Sequence, residues 1–310
     1  MQRRDFLKTS LWGAAALSLA APLDLWAAPE ETYKLTILHT NDMHSRIDPF
    51  PDGGGNYAGM GGMARRAALI EKIRQQEPNV LLLDAGDIFQ GTPYFNFFGG
   101  ELEFKLMSKM QYDAATMGNH DFDAGLEGFV KQLPHAAFPF LTANYDFSRT
   151  PVKGLTQPYK IFQKGKIRVG VFGLGIKLEG LVPKKMYEQT IYNDPIAVGK
   201  EMVQELRAKG CHLVVCLSHL GFKHDDPRML SDQHLSAQVE GIDLIIGGHT
   251  HTLLEKPAEM KTDSGGPVLV NQVGWGGVAL GKVDFHFTRN MEKKSAEGTA
   301  LLLPAGIDKS

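Results

Sequence analysis

The sequence predicts an α/β layered fold, because short apolar runs alternate with helix-like stretches from residue 33 onward. Two compositional observations agree with this class. A chain of 310 residues is long enough to bury one large core or two modest ones, and 43% hydrophobic with 22% charged residues is typical of a globular protein. Segments 159–162 and 167–172, joined around Gly165, have the pattern of a β-hairpin, so the sheet is expected to be mixed.

Nine strands and five helices are predicted in alternating order. The strands are 34–39, 80–85, 114–117, 138–143, 167–174, 212–218, 244–247, 268–273 and 279–287. The helices are 63–76, 101–110, 126–133, 196–208 and 228–239, of which the first ends before Pro78 and the fourth before Gly210. Residues 29–290 are expected to form one domain, and the weakly patterned segment 291–310 a peripheral tail.

Residues 1–28 have the features of an export signal. The pair Arg3-Arg4 precedes an apolar run at 11–21, and small residues follow at Ala27 and Ala28. Paired arginines indicate the twin-arginine route. The apolar run is shorter than the roughly 20 residues that span a bilayer. We therefore expect cleavage at Ala27 or Ala28, no membrane anchor afterwards, and a periplasmic or secreted protein.

The charge balance excludes a nucleic-acid-binding protein, and the cysteine spacing excludes a disulfide between the two cysteines. With 33 Lys+Arg against 35 Asp+Glu, the chain has a net charge of -2 and lacks the basic excess that nucleic-acid binding requires. The two cysteines, Cys211 and Cys216, are five residues apart in an apolar run. On a strand this spacing separates their Cα atoms by about 16 Å, beyond the reach of a disulfide. They are expected to be thiols in the core.

Side chains able to bind a metal or to catalyse follow five of the predicted strands. Open α/β sheets bind ligands at the carboxyl ends of their strands, so one site is expected to collect these side chains. They lie in the fragments Asn41-Asp42-Met43-His44, Asp84-Ala85-Gly86-Asp87, Gly118-Asn119-His120-Asp121-Phe122-Asp123, Ser218-His219 and Gly247-Gly248-His249-Thr250-His251.

Each fragment alone has an ordinary explanation. Asp42 and Asp87 are of a type that caps turns, and His219 resembles a hydrogen-bonded core histidine. The pair His249 and His251 is a stronger signal, because two imidazoles two residues apart can converge on one cation. Together the fragments form a nitrogen and oxygen set without sulfur, which suits Zn, Mn, Fe or Mg. Seven donors exceed the needs of one tetrahedral ion and suffice for two divalent ions that share a carboxylate.

In order and spacing these motifs resemble those of the calcineurin-like metallophosphoesterase superfamily, and specifically the catalytic domain of its 5′-nucleotidase branch. The resemblance covers residues 33–288, and the flanking words at 83–93 and 218–221 agree with it. The matching motifs are Asp42-x-His44, Gly86-Asp87, Gly118-Asn119-His120-x-x-Asp123, His219 and Gly248-His249-x-His251.

The resemblance implies a four-layer αββα sandwich of two mixed sheets flanked by helices. It also implies a dinuclear phosphoesterase that hydrolyses nucleoside 5′-monophosphates or related phosphate esters by attack of a metal-bridging hydroxide. His120 is implied as the catalytic histidine and Asp123 as the group that orients it. The implied metal ligands are Asp42, His44 and His251 for one ion, Asn119, His219 and His249 for the other, and Asp87 for both.

Two alternative functions remain open, and so does the need for a separate partner chain. The metal site would also suit a nucleotide-sugar pyrophosphatase or a cyclic-nucleotide phosphodiesterase. A metal-binding subunit without activity is the other alternative, although a silent relic would tolerate the loss of His120 and Asp123, and both are present. Members of the branch usually continue into a nucleoside-binding domain. Because this chain stops at Ser310, we expect either a loosely selected substrate or a separate chain that supplies that domain.

Overall fold

Thirteen strands and seven helices lie within residues 32–305, the part of the chain that the computed structural model describes. The predicted export signal lies outside the described residues. The helices are α1 (Met63–Gln76), α2 (Pro93–Phe98), α3 (Glu101–Lys109), α4 (Gly125–Gln132), α5 (Lys184–Tyr187), α6 (Pro195–Ala208) and α7 (Asp232–Gln238). The strands are β1 (Tyr33–Thr40), β2 (Val80–Asp84), β3 (Ala114–Ala115), β4 (Tyr145–Asp146), β5 (Tyr159–Lys164), β6 (Ile167–Leu174), β7 (Ile191–Tyr192), β8 (Leu213–Ser218), β9 (Leu244–Gly247), β10 (Ala258–Lys261), β11 (Pro267–Asn271), β12 (Ala279–Phe287) and β13 (Lys293–Leu302).

The strands form two large mixed sheets and one small one. The first has the order β13-β12-β1-β2-β3, and the second has the order β10-β11-β9-β8-β6-β5. Strands β1, β2 and β3 run parallel, and β12 is antiparallel to β1. In the second sheet β6, β8, β9 and β11 run parallel, and β5 pairs with β6 as the predicted hairpin. The prediction of a mixed α/β fold is confirmed.

Each of the two large sheets carries apolar residues on both of its faces, which explains the continuous apolar runs in the sequence. Ile37 of β1 and Leu217 of β8 belong to one buried cluster between the two sheets. On the outer faces, Leu38 packs with Phe104 of α3, and Leu206 of α6 packs against the second sheet. Each such side chain contributes about 1.5–3 kcal/mol when fully buried. The result is the four-layer αββα order that the resemblance implied.

Both cysteines are buried and unpaired in the second sheet region, as predicted. Within residues 32–305, none of the helices combines the length and the apolar character that a membrane crossing requires.

Three parts of the chain differ from the prediction. Segment 138–143 forms only single bridges through Phe140 and Leu141, since Pro139 has no N–H to continue a ladder. The helix predicted at 228–239 begins only at α7, after the turn in which Arg228 bonds to Asp226. The expected tail contributes β13, the outermost strand of the first sheet.

Candidate metal centre

The candidate ligands are positioned by the ends of strands from both large sheets. Asp42, Asp87 and Asn119 follow β1, β2 and β3 of the first sheet. His219 and His249 follow β8 and β9 of the second sheet. The sequence predicted that these side chains gather at the edge of one sheet. In the structure they gather where the carboxyl ends of strands from two facing sheets meet.

A first group, termed the first half of the centre, consists of Asp42, His44 and His251. Their ligand atoms all lie within 4.8 Å of one another. Nε2 of His44 is 3.0 Å from Nε2 of His251, and Nε2 of His251 is 3.5 Å from Oδ1 of Asp42. Two imidazoles and one carboxylate therefore converge on a space large enough for a cation.

The second half consists of Asp87, His219 and His249, whose ligand atoms also lie within 4.8 Å of one another. Oδ1 of Asn119 is 2.8 Å from Nδ1 of His249, so the amide adds an oxygen donor to this half. Oδ2 of Asp87 is 3.0 Å from Nε2 of His219 and 3.9 Å from Nε2 of His44. Asp87 thus lies between the halves, and all seven predicted ligands are brought together.

The chemistry of these donors fits a cation better than it fits their own pairing. Nε2 of His219 is fully buried and makes no hydrogen bond, although it lies 3.0 Å from the Asp87 carboxylate. The two atoms are close enough to bind one cation together. Burial alone lowers the pKa of His219, but the charge of Asp87 outweighs burial and raises it to about 10. A proton on Nε2 of His219, facing the Asp87 carboxylate, occupies the position that a metal ion would take.

The backbone of the centre is strained at most of the ligands. Left-handed φ angles of 46° to 73° occur at five of the seven, where glycine would be favoured. Each such residue costs about 1–3 kcal/mol, which the surrounding structure must offset. Strain of this kind is a mark of functional sites. The five residues are Asp42, His44, Asp87, His249 and His251.

His120 and Asp123 form a hydrogen-bonded pair beside the two halves. Nδ1 of His120 lies 2.8 Å from Oδ2 of Asp123. The centroid of the His120 ring is 5.2 Å from that of the His44 ring. The bond to Asp123 raises the pKa of His120. The His120 side chain is 37% exposed, whereas His219 is fully buried. His120 is thus available to a molecule that enters from solvent.

The sequence model of the calcineurin-like phosphoesterase family matches residues 35–253 of this chain. The chain belongs to that family. Residues 35–253 are therefore a calcineurin-like phosphoesterase domain, the family that the motifs resembled.

Individual relatives agree with the family and with its nucleotidase branch. A snake venom 5′-nucleotidase of Crotalus adamanteus is 34% identical over 97% of this chain and 52% of its own length. A 5′-nucleotidase of Vibrio cholerae is 35% identical over 94% of this chain and 56% of its own length. The crystal structure of a 5′-nucleotidase precursor from Thermus thermophilus superposes with a TM-score of 0.78 at 35% identity, covering 88% of this chain and 55% of that one. The chain thus spans about half the length of these relatives.

Two glycines let the phosphoesterase loops approach one another. A Cβ atom on Gly118 would lie 2.2 Å from Oδ1 of Asp87, and one on Gly248 would lie 2.7 Å from Nδ1 of His219. No side chain fits at either distance. Gly248 therefore permits a close backbone approach to His219.

Asp121 holds the loops of two phosphoesterase motifs together. Its carboxylate accepts four backbone N–H groups, from Asp87, Ile88, Phe89 and Gly118, at 2.8–3.1 Å. In the same way, Asp84 accepts from the backbone N–H of Gly86 at 2.9 Å and from the Thr40 hydroxyl at 2.6 Å. Both aspartates support the ligands rather than pointing into the centre.

Sequence reasoning missed Asn41 and Trp275 as contributors to the centre. Asn41 lies in the first motif but was given no role, and its side chain reaches both Asp42 and the loop after β11. Trp275 lies in that loop and stacks on His251. Strand β11 runs parallel to β9, so its carboxyl end meets the same edge. The rule that located the ligands could therefore have identified this loop.

Proposed function

We propose that this chain hydrolyses nucleoside 5′-monophosphates or related phosphate esters with the help of two divalent cations. The observation that carries the proposal is the position of Asp87, whose carboxylate lies within 4 Å of a histidine from each half of the centre. A carboxylate shared by two groups of nitrogen and oxygen donors is the arrangement that paired cations require.

Each half would hold one ion of the Zn, Mn, Fe or Mg class. Such paired cations, when bound, activate water near neutral pH and neutralise phosphoryl oxygens during displacement. One ion would be held by Asp42, His44 and His251, the other by Asn119, His219 and His249, and Asp87 would contribute to both sites.

His120 would act on the leaving oxygen of the ester. Its Nδ1–H donates to Asp123, which sets the tautomer and leaves Nε2 available for proton transfer or for a hydrogen bond. The backbone N–H of His120 donates to Oδ1 of Asp87 at 2.8 Å, which ties the loop that carries His120 to the shared carboxylate. His251 is 40% exposed and His120 is 37% exposed, and both rings lie within 5.2 Å of the His44 ring, so both are available to a phosphate group from solvent.

The choice of a nucleotide and the location of the protein are parts of the same proposal. Relatives named as 5′-nucleotidases support a nucleoside monophosphate, and a relative named as a venom protein supports export. Periplasmic or secreted location would be tested by fractionating cells that express the full chain.

A separate chain that supplies substrate contacts stays a prediction. Gel filtration showing a lone monomer with full, nucleotide-selective activity would contradict it.

The direct test is an assay after chelation and after return of single metals. We expect no activity without metal, and restored activity that is highest on a nucleoside 5′-monophosphate when compared with a sugar nucleotide, a cyclic nucleotide and an aryl phosphate. Preference for the sugar nucleotide or the cyclic nucleotide would replace the substrate but keep the metal centre. Full activity of the chelated chain would overturn the whole proposal.

A further inference from the structure

Trp275 packs against two of the three side chains of the first half. Its ring is nearly parallel to that of His251, with 11° between the planes and 5.5 Å between the centroids. It also meets the ring of His44 edge-on, at 6.2 Å and 68°. Trp275 is half-buried, while the His251 side chain that it covers is 40% exposed. The indole is therefore the surface against which the most exposed candidate ligand rests.

His219 of the second half differs from the histidines of the first half in what holds its second ring nitrogen. Nδ1–H of His219 donates to the carbonyl of Ala85 at 2.7 Å. Within the described residues, Nδ1 of His44 is buried without a hydrogen-bond partner, and Nδ1 of His251 makes no hydrogen bond to the protein. A histidine that binds a metal is usually oriented by a hydrogen bond at its other nitrogen. In the first half, ring packing must provide that orientation instead.

The loop that carries Trp275 is tied directly to the carboxylate of the first half. The Asn41 amide donates to the carbonyl of Gly274 at 2.7 Å and to Oδ2 of Asp42 at 2.6 Å. The backbone N–H of Gly276 donates to the carbonyl oxygen of Asp42 at 2.7 Å. The indole, the carboxylate and the backbone between them thus form one hydrogen-bonded unit.

We propose that Trp275 is a positioning residue, which holds His251 and His44 in the orientation that binds a divalent cation. This inference rests on the proposed metal assignment. It requires the first half to depend on the indole and the second half to be independent of it, because His219 and His249 lie outside the ring contacts of Trp275.

The chain provides its own probe for this proposal. Its three tryptophans are Trp12, Trp26 and Trp275, so the full chain with Trp12→Phe and Trp26→Phe retains only the indole beside the first half. Co²⁺ suits a nitrogen and oxygen site and is paramagnetic, so its binding next to the indole quenches fluorescence. After chelation, titration with Co²⁺ is expected to quench Trp275, while calorimetry counts two bound ions.

The decisive variants are Trp275→Ala and Trp275→Phe, measured by calorimetry with Co²⁺. We expect Trp275→Ala to weaken one of the two binding steps by about tenfold to hundredfold and to leave the other unchanged, which also shows that the variant is folded. Trp275→Phe keeps an aromatic face and should restore most of the affinity. Tyr57→Ala is the matched control, because Tyr57 contacts Trp275 at 6.5 Å but neither histidine.

Each outcome separates the two proposals. If the parent chain binds two ions and Trp275→Ala binds both as tightly, the positioning role is wrong and the metal centre stands. Equal weakening of both steps, or a Trp275→Phe variant as weak as Trp275→Ala, also overturns the role. If the parent chain binds no Co²⁺, the proposed function fails first, and the role of Trp275 fails with it.

Discussion

Hydrogen bonds hold one half of the centre, whereas aromatic packing holds much of the other. In the second half, Asp121 accepts four backbone N–H groups around Asp87, and the carbonyl of Ala85 fixes His219. In the first half, His251 leans on Trp275 and has no comparable hydrogen bond. A hydrogen bond fixes a ring in one direction, but a stacked ring can still rotate in its plane. We therefore expect the first half to adapt more easily to different cations.

The largest expected effect comes from the residue that the halves share. Asp87→Ala should abolish tight binding at both steps of a Co²⁺ titration and lower kcat/KM by about 10³-fold or more, since the charge stabilisation that the ions supply amounts to several kcal/mol. Asp84→Asn is the matched control in the same loop. The change is mild there, because the amide oxygen can still accept from the Gly86 N–H and the amide nitrogen can donate to the Thr40 hydroxyl. Loss of both ions in Asp84→Asn but not in Asp87→Ala would contradict the assignment.

His120 belongs to neither half, so its removal should separate catalysis from metal binding. His120→Ala is expected to lower kcat by about 10²-fold or more, because it removes a general acid, while both binding steps persist. His224→Ala is the comparison, since the His224 ring lies 5.8 Å from that of His249 but bonds to the carbonyl of Leu220. Steady-state rates and calorimetry on both variants check this. Unchanged activity in His120→Ala would remove its assigned role.

Asp121→Asn should damage the hydrogen-bonded half selectively. The amide nitrogen cannot accept the N–H groups that the lost carboxylate oxygen accepted, and a hydrogen bond to a charged group contributes about 1.5–3 kcal/mol. We expect the free energy of unfolding to fall by about 3 kcal/mol and the second-half binding step to weaken more than the first. Urea denaturation and calorimetry measure the two effects.

The control for that variant is Asp146→Asn, which alters an exposed turn where Asp146 accepts from the N–H of Ser148 at 2.8 Å. It should change stability by no more than about 0.5 kcal/mol. A first half that weakens more than the second in Asp121→Asn would break the comparison.

The smallest effect concerns the strand that leads into the first half. His39 of β1 is fully buried beside Asn271, and burial lowers its pKa to about 3 from an ordinary 6.5. Below pH 6.5 the unfolded chain therefore gains a proton that the folded chain does not. Stability should fall by about 2 kcal/mol between pH 6.5 and pH 5 from this group alone.

Urea midpoints at the two pH values measure the slope. His39→Gln should flatten it, whereas His286→Gln, on the outer face of β12, should not. A slope that is identical in the parent and in His39→Gln would show that other groups cause the acid sensitivity. Comparisons of the two halves are best made above about pH 7.5, where the unfolded His39 is largely neutral and this contribution is nearly constant.

Local patterns predicted the central elements well but missed two of the four strands at the edges of the large sheets. The bounds of α1, β6, β9 and β12 are those predicted, because buried elements carry apolar residues at a clear period. Strand β10 was missed, since edge strands carry charged residues such as Glu259 and Lys261 that keep them from pairing further. Strand β13 was missed for the same reason.

The sequence by itself determined which donors the chain offers and that they follow strands, because residue type and periodicity are local properties. Tertiary structure alone decided that two facing sheets share the site, that five ligands adopt left-handed backbone, and that Trp275 supports His251. His44 and His251 are 207 residues apart in the chain and 3.0 Å apart at their Nε2 atoms. Periodicity shows which face of an element is apolar, but only the packing of distant elements decides which side chains meet there.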